Sequence, residues 1–343
     1  LVFCLFSQGI NNVLAIEIFG TTKSPISTVL IAILLGILMG NAFTPRQGMM
    51  VGLDFTQQYI LKLGIIFLGI RLSFADLVKF GSIAIPLVII CILGVLILIK
   101  LLIKKVPISS KMSYLIAIGT SVCGATAIVA TAPVINAKKT EVAYAIANIT
   151  LFGVIAMLIY PYFAEWYFDD SALKAGLFLG TAIHETSQVA AAGLIYDQQF
   201  NNPETLDVAT VTKLIRNTFL VILIPLFAFL YNRGEVKDQK YSIFNIFPYF
   251  VIGFIGMIIV RNLGDQLFLV ENENFYLWSK FIDYLKILTT VFLTMAMAAV
   301  GISINLGELK SMGYKPFVVG LIAAITVGII SIIYIEGFSK FLF

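Results

Sequence analysis

The stretch Met112–Ala137, MSYLIAIGTSVCGATAIVATAPVINA, runs for 26 residues without a charged side chain. A hydrocarbon core of about 30 Å needs roughly 20 apolar residues in helical form, so the run is long enough to cross a membrane. Its middle is unusual for a lipid-facing helix. Gly119-Thr120-Ser121-Val122-Cys123-Gly124-Ala125-Thr126 places two glycines, three hydroxyls and a thiol where a span is normally most apolar. Glycine lets a backbone leave the helix, and hydroxyls can cap the amides of a new helix start. The stretch therefore predicts a span interrupted near its centre.

Working outward, Ile26–Phe43, Phe80–Ile99, Val142–Ala164, Tyr241–Val260, Ile287–Gly307 and Pro316–Ile335 are also uncharged over the length of a span. Four weaker apolar segments carry a few polar residues: Leu1–Ile16, Phe55–Phe74, Ser171–Tyr196 and Val208–Asn232. Together they make eleven spans. The composition agrees: of 343 residues, 59% are apolar and 12% charged, against about 25% charged in a soluble domain. The fold class is an all-α polytopic membrane protein, organised as a single integral domain over residues 1–343. Loops after even-numbered spans hold Arg46, Lys100, Lys104, Lys105, Lys111, Lys174, Arg233, Lys237, Lys240, Lys310 and Lys315. Loops after odd-numbered spans hold the more dispersed Lys23, Arg71, Lys79, Lys138, Lys139, Lys213, Arg261, Lys280 and Lys340, together with the acidic, Asn-rich loops Asp197–Asp207 and Asp265–Asn274. The positive-inside rule then puts the even-side loops in the cytoplasm.

Several classes are excluded. The net charge of +4 is scattered rather than striped, which leaves no nucleic-acid footprint. Cys4, Cys91 and Cys123 are too far apart in sequence for a disulfide framework or a cysteine metal cluster. No cofactor or metal is expected. His184-Glu185-x-x-Gln188 approaches a zinc-protease signature, but Gln188 stands where the second histidine belongs, and the chain has one histidine. Ser121 has no Gly-x-Ser-x-Gly setting and no phosphate-loop lysine motif is present. An enzyme is not expected.

A second segment repeats the chemistry of the first. Gly180-Thr181-Ala182-Ile183-His184-Glu185-Thr186-Ser187-Gln188 aligns with it at an offset of 61, pairing Gly119 with Gly180, Thr120 with Thr181 and Val122 with Ile183. Asn148 and Asn217 pair at an offset of 69, and Gly69–Leu77 matches Gly301–Leu309 at 232. The chain reads as an internal repeat of approximately 26–165 and 171–335. Paired discontinuous segments are the usual pointer to a secondary transporter's binding site. Close helix packing through small residues is the plainer alternative, but packing alone does not call for His184-Glu185.

The runs Gly119–Ala127, Thr131–Ile135, Glu141–Ala147 and Gly180–Gly193 resemble the YeiH-type family of bacterial membrane proteins, commonly labelled sulfate exporters. The resemblance extends over most of the chain. It implies the superfamily of cation/proton antiporters and anion transporters, with inverted repeats and crossed broken helices, in the bacterial inner membrane.

The expected function is export of a small inorganic oxyanion, sulfate or sulfite, in one form linked to protons; a cation/proton antiporter is the alternative. The substrate-binding candidates are Gly119, Thr120, Ser121, Cys123, Gly124, Thr126, Asn148, Gly180, Thr181, Thr186, Gln188 and Asn217. His184 and Glu185 are the proton-coupling candidates, because ionisable groups inside a span are costly and usually face a cavity. Glu185 is expected to be protonated or paired with His184 when an anion binds. Arg216 and Lys62 are candidates for neutralising the anion, with an interfacial anchor the other reading of Arg216 and snorkelling that of Lys62. Beyond substrate and lipid, the expected partner is a second copy of the chain, through Gly36-x-x-x-Gly40.

Overall fold

The computed structural model describes residues 2–14, 26–43, 47–102, 108–169, 171–231, 248–268, 275–305, 307 and 314–342. Arg46, Lys104, Lys105, Arg233, Lys237, Lys240 and Lys310 lie outside the described residues, as do Leu306, Glu308 and Leu309 of the third internal match.

The helices in chain order are α1 (Val2–Val13), α2 (Thr28–Ala42), α3 (Gln47–Phe55), α4 (Leu61–Leu68), α5 (Phe74–Leu102), α6 (Ser110–Ser121), α7 (Ala125–Thr131), α8 (Lys139–Phe168), α9 (Ala172–Ala182), α10 (Thr186–Phe200), α11 (Pro203–Thr218), α12 (Leu220–Tyr231), α13 (Phe250–Leu267), α14 (Phe275–Ser303) and α15 (Tyr314–Leu342). A wide turn at Thr56–Ile60 joins α3 to α4. Among the described residues every regular element is helical, as an apolar solvent demands: a helix pairs its backbone groups internally. Seven helical stretches are long and apolar enough to cross a membrane, and shorter apolar helices accompany them. The described residues of each of the eleven expected segments lie largely on one helix or on a pair of consecutive helices. Two of those pairs are the expected interruptions, α6 with α7 and α9 with α10.

Local sequence sets the helix starts. Ser27 and Ser109 accept the third-residue amides of α2 and α6 at 3.1 Å, and Ser171 does so for α9 at 3.5 Å. At α8 the Glu141 carboxylate accepts the Lys138 amide at 2.7 Å and also binds the Ser109 hydroxyl, which ties the starts of α6 and α8 together.

The chain forms two compact units, each assembled from discontinuous segments. One comprises Leu1–Lys79, Ala190–Asp207 and Tyr249–Leu306; the other Phe80–Val189, Val208–Pro248 and Gly307–Phe343. Both halves of the sequence contribute to both units. In the first unit, Ile70, Trp278, Ile282 and Leu285 form a buried cluster flanked by Phe67, Met257 and Phe268. Arg71, reached by the chain as a short 3₁₀ turn ends the span, pairs with Asp207 at 3.1 Å and Asp197 at 3.5 Å and donates to the Pro203 carbonyl at 3.2 Å. The third internal match has a physical counterpart here. Leu72 donates to Gly69 and Ile304 to Gly301, both at 3.2 Å, so the two copies end their helices by the same turn.

Gly36 and Gly40 are used within the chain. A Cβ on Gly36 would stand 2.6 Å from the Ala298 carbonyl, and one on Gly40 would collide with the carbonyl of Ile302, so α2 and α14 meet backbone to backbone. The glycine pair expected to support a dimer is therefore covered by α14 and offers no face to a second copy. Identical substitutions should separate these sites. Gly40→Ala should lower the Tm of detergent-purified protein by several degrees, as overpacking costs about 1–3 kcal/mol. Gly52→Ala, whose Cβ would meet nothing within 4 Å, should leave it unchanged or raise it.

Candidate functional site

The second unit contains both interruptions. α6 ends with the Val122 amide donating to Ile118 at 3.0 Å, and α9 ends with the Ile183 amide donating to Leu179 at 3.3 Å, the same bond displaced by 61 residues. Between α6 and α7, Gly124 adopts φ +68°, ψ −129°, a region open only to glycine. A Cβ there would also run into the Glu185 side chain. α6 and α9 hold 12 and 11 residues before their breaks. At 1.5 Å per residue each rises roughly 17 Å, a little over half of a 30 Å core.

Such breaks leave backbone carbonyls without helical partners. In this unit two side chains of α11 take them up. Lys213 Nζ donates to the carbonyls of Val122 and Ile183 at 3.0 Å each and to that of His184. Arg216 donates from Nε to Ser121 at 2.6 Å, from one terminal nitrogen to Ile183 at 3.3 Å and to Thr181, and from the other to Thr120. Both side chains are 0% exposed. They sit three residues apart on one helix face, so their heads reach both breaks at once. The geometry suits the electrostatics, because the C-terminal ends of α6 and α9 carry partial negative charge. Arg216 is neither an interfacial anchor nor a cation open to solvent. It binds the two breaks to each other. Lys213 shares that task, and the sequence reading had it only as a loop charge.

The N-terminal sides of the breaks are handled differently. The Ala125 amide at the start of α7 donates to Glu185 Oε1 at 3.3 Å, so the carboxylate of the second break caps the first. The Glu185 amide donates to Gln188 Oε1 at 3.2 Å, a reciprocal cap at the start of α10. Gln188 is buried, and its amide group points to the Thr150 carbonyl at 3.5 Å against Gly153, where a Cβ would leave it no room. Asn217 donates to Thr186 Oγ1 at 2.9 Å, and Asn148 donates to the Pro316 carbonyl at 2.6 Å. The carbonyl oxygens of both asparagines are buried without a partner, a likeness that accompanies their offset of 69.

The other sequence candidates divide clearly. Thr181 spends its hydroxyl on the Leu177 carbonyl and on Ser331 Oγ, each at 2.7 Å, so it fastens α9 to α15. Thr120 and Ser121 are buried with hydroxyl oxygens that have no partner. His184 is buried with both ring nitrogens unpartnered, so it is not paired with Glu185. Gly119 packs against Ile128 and Ile149, and Gly180 lies on Ala209 and Thr212 of α11. Cys123, Glu185 and Thr186 are half-buried and Thr126 is exposed. Lys62 belongs to the other unit, exposed on α4. Among the described residues no three His, Cys, Asp or Glu side chains converge as metal ligands.

This arrangement defines a class: a polytopic helical membrane protein whose two interrupted helices are joined at a charged, buried junction. The chain belongs to the family described as conserved hypothetical protein 698, which matches residues 1–320 and to which the YeiH-type resemblance pointed. It is 36% identical over 303 residues to a UPF0324 membrane protein of Streptococcus agalactiae, covering 87% of this chain and 86% of the relative. A UPF0324 membrane protein of Fusobacterium nucleatum is 33% identical over 322 residues, covering 92% and 91%. One of Bacillus anthracis is 30% identical over 342 residues, covering 97% and 96%. No solved structure matches the chain.

Hydrogen bonds from a charged donor are worth about 1.5–3 kcal/mol each, and Arg216 makes four. Arg216→Met should therefore abolish the monodisperse peak in detergent size-exclusion chromatography. Arg216→Lys keeps the charge with fewer donors and should fold with a Tm lowered by several degrees.

Proposed function

We propose that this protein is a secondary transporter that moves a small inorganic oxyanion, sulfate or sulfite, across the bacterial inner membrane at the junction of the two breaks. The observation that carries the reading is the pair Lys213 and Arg216. Both are fully buried, and among the described residues neither lies within 4 Å of a carboxylate. Their bonds to carbonyls satisfy hydrogen-bonding capacity but do not cancel two units of charge. A buried, uncompensated cation is costly, and an anion that enters beside it relieves that cost. The first-turn amides of Thr186, Ser187 and Gln188 have no acceptor within α10, and helix N-termini favour negative charge. The unpartnered hydroxyls of Thr120 and Ser121 and the unpartnered nitrogens of His184 are buried in the same junction. They are the donors that an oxyanion stripped of water requires.

The cation/proton antiporter reading is less well supported. An antiporter's ion needs carboxylates, and Glu185 is the one carboxylate in either break. An enzyme reading lacks a nucleophile paired with a base, since His184 bonds to no hydroxyl or thiol.

Labelled sulfate and sulfite fluxes into liposomes containing the purified chain test the proposal. Uptake should exceed that of protein-free vesicles at least tenfold. Ser121→Ala, which removes one unpartnered hydroxyl, should raise the half-saturating sulfate concentration about five- to tenfold, as roughly 1–1.4 kcal/mol of lost bonding implies. Proton movement driven by Na⁺ or K⁺, with no oxyanion flux, would replace this function with antiport.

A further inference from the structure

Two cations and one carboxylate leave the junction with an uneven count of charge. Lys213 Nζ donates three bonds, which takes an ammonium, so with the Arg216 guanidinium it contributes two positive charges, and Glu185 contributes one negative charge when ionised. The helix ends add about half a charge each, two N-terminal and two C-terminal, and these roughly cancel. The groups whose fields reach Glu185 come from each neighbouring element: Lys213 of α11 acts on it directly, and Arg216 of α11 acts on Lys213 and on the Cys123 thiol of the first break, which also feels Glu185. His184, next to Glu185 in the chain, has no acceptor for either ring nitrogen, whereas an imidazolium donates from both, so it enters the count as a neutral imidazole. The empty junction with Glu185 ionised thus carries one net positive charge. With Glu185 protonated it carries two.

We propose that Glu185 sets the charge of the anion the junction accepts: a monoanion binds with the carboxylate ionised, and a dianion binds together with one proton on that carboxylate. The inference rests on the anion-transport reading above and specifies its charge stoichiometry. The geometry supplies the means. Glu185 Oε1 already holds the Ala125 amide at 3.3 Å, so the chain's own carboxylate occupies the position of a resident anion. The Glu185 side chain is half-buried, whereas His184, Lys213 and Arg216 are buried. Proton uptake turns a carboxylate oxygen into a hydroxyl, removes one negative charge and leaves two buried cations facing a doubly charged ligand. A dianion arriving without that proton would leave the junction one charge too negative, in surroundings where unbalanced charge is far less screened than in water. Monoanions and proton-accompanied dianions then present the same total charge to the membrane field.

Isothermal titration calorimetry on the purified full chain counts the protons. Sulfate and nitrate are titrated at pH 7.5 in two buffers of different ionisation enthalpy. The expected result is about one proton taken up per sulfate and none per nitrate. E185Q should bind sulfate with no proton uptake and bind nitrate at least tenfold more weakly than the native chain. Sulfate binding to the native chain without proton uptake overturns the proposal. Uptake that persists in E185Q and vanishes in H184N overturns it too, by moving the proton to the imidazole. If E185Q does not fold, the native sulfate and nitrate proton counts decide alone. Failure of both anions to bind the native chain overturns the anion reading itself, and the charge rule with it.

Discussion

The donation of Lys213 and Arg216 to the carbonyls of both breaks is the interaction on which this junction depends. A helix that stops inside a membrane exposes backbone groups that water would otherwise satisfy, and each one left bare in hydrocarbon costs several kcal/mol. Here six carbonyls, from Thr120, Ser121, Val122, Thr181, Ile183 and His184, accept from two side chains. Neutral residues could not do this as compactly. A guanidinium has five donors in a fixed fork and an ammonium has three. Their charge also opposes the partial negative charge at the ends of α6 and α9. The same choice brings positive charge into the interior, which is the feature the proposed anion site rests on.

The breaks themselves were legible because their chemistry is local. Gly119–Thr126 and Gly180–Gln188 stand out as small, hydroxyl-rich interruptions of apolar runs, and their register at an offset of 61 survives as the same terminal bond in α6 and α9. Gly124 was readable as a break-former, although its positive φ and its contact with Glu185 were not. The all-helical, membrane-spanning class was legible for the same reason. Apolar length is a property of contiguous residues.

Lys213 and the task of Arg216 were missed because hydropathy puts the start of that span at Val208. The helix begins at Pro203, so both cations lie in its third and fourth turns rather than at an interface. Thr205, Asp207, Thr210, Thr212 and Asn217 are polar and buried alongside them. α11 is polar because it faces protein, not lipid, and a hydropathy window reads such a helix as a weak span with a charged flank. The signal available was the spacing of two cations three residues apart amid threonines, in a helix otherwise long enough to cross. Gly36-x-x-x-Gly40 failed in the opposite sense. Its pattern correctly announced a close helix contact, but sequence cannot say whether the partner helix belongs to the same chain.

Glu185 shows why one residue carries so much of the interpretation. Its amide is held by Gln188, its carboxylate holds Ala125, and its Cγ lies where any side chain on Gly124 would have to go. Backbone and side chain are thus fixed from both breaks, which a freely titrating surface carboxylate would not require. When ionised, a carboxylate so placed lowers the net charge of the cation pair without forming an ion pair with either member, since the bonds of Lys213 and Arg216 go to carbonyls. Charge compensation and hydrogen bonding are separated in this junction: carbonyls accept from the donors, while in the proposed function the charge is balanced by Glu185 and an anion. A neutral pair of capping residues would have closed the breaks and left nothing to attract an anion. A pair of carboxylates would have favoured a cation. Two cations with one carboxylate is the combination that, in the proposed function, leaves a single positive charge for an anion and changes by one when the carboxylate takes up a proton.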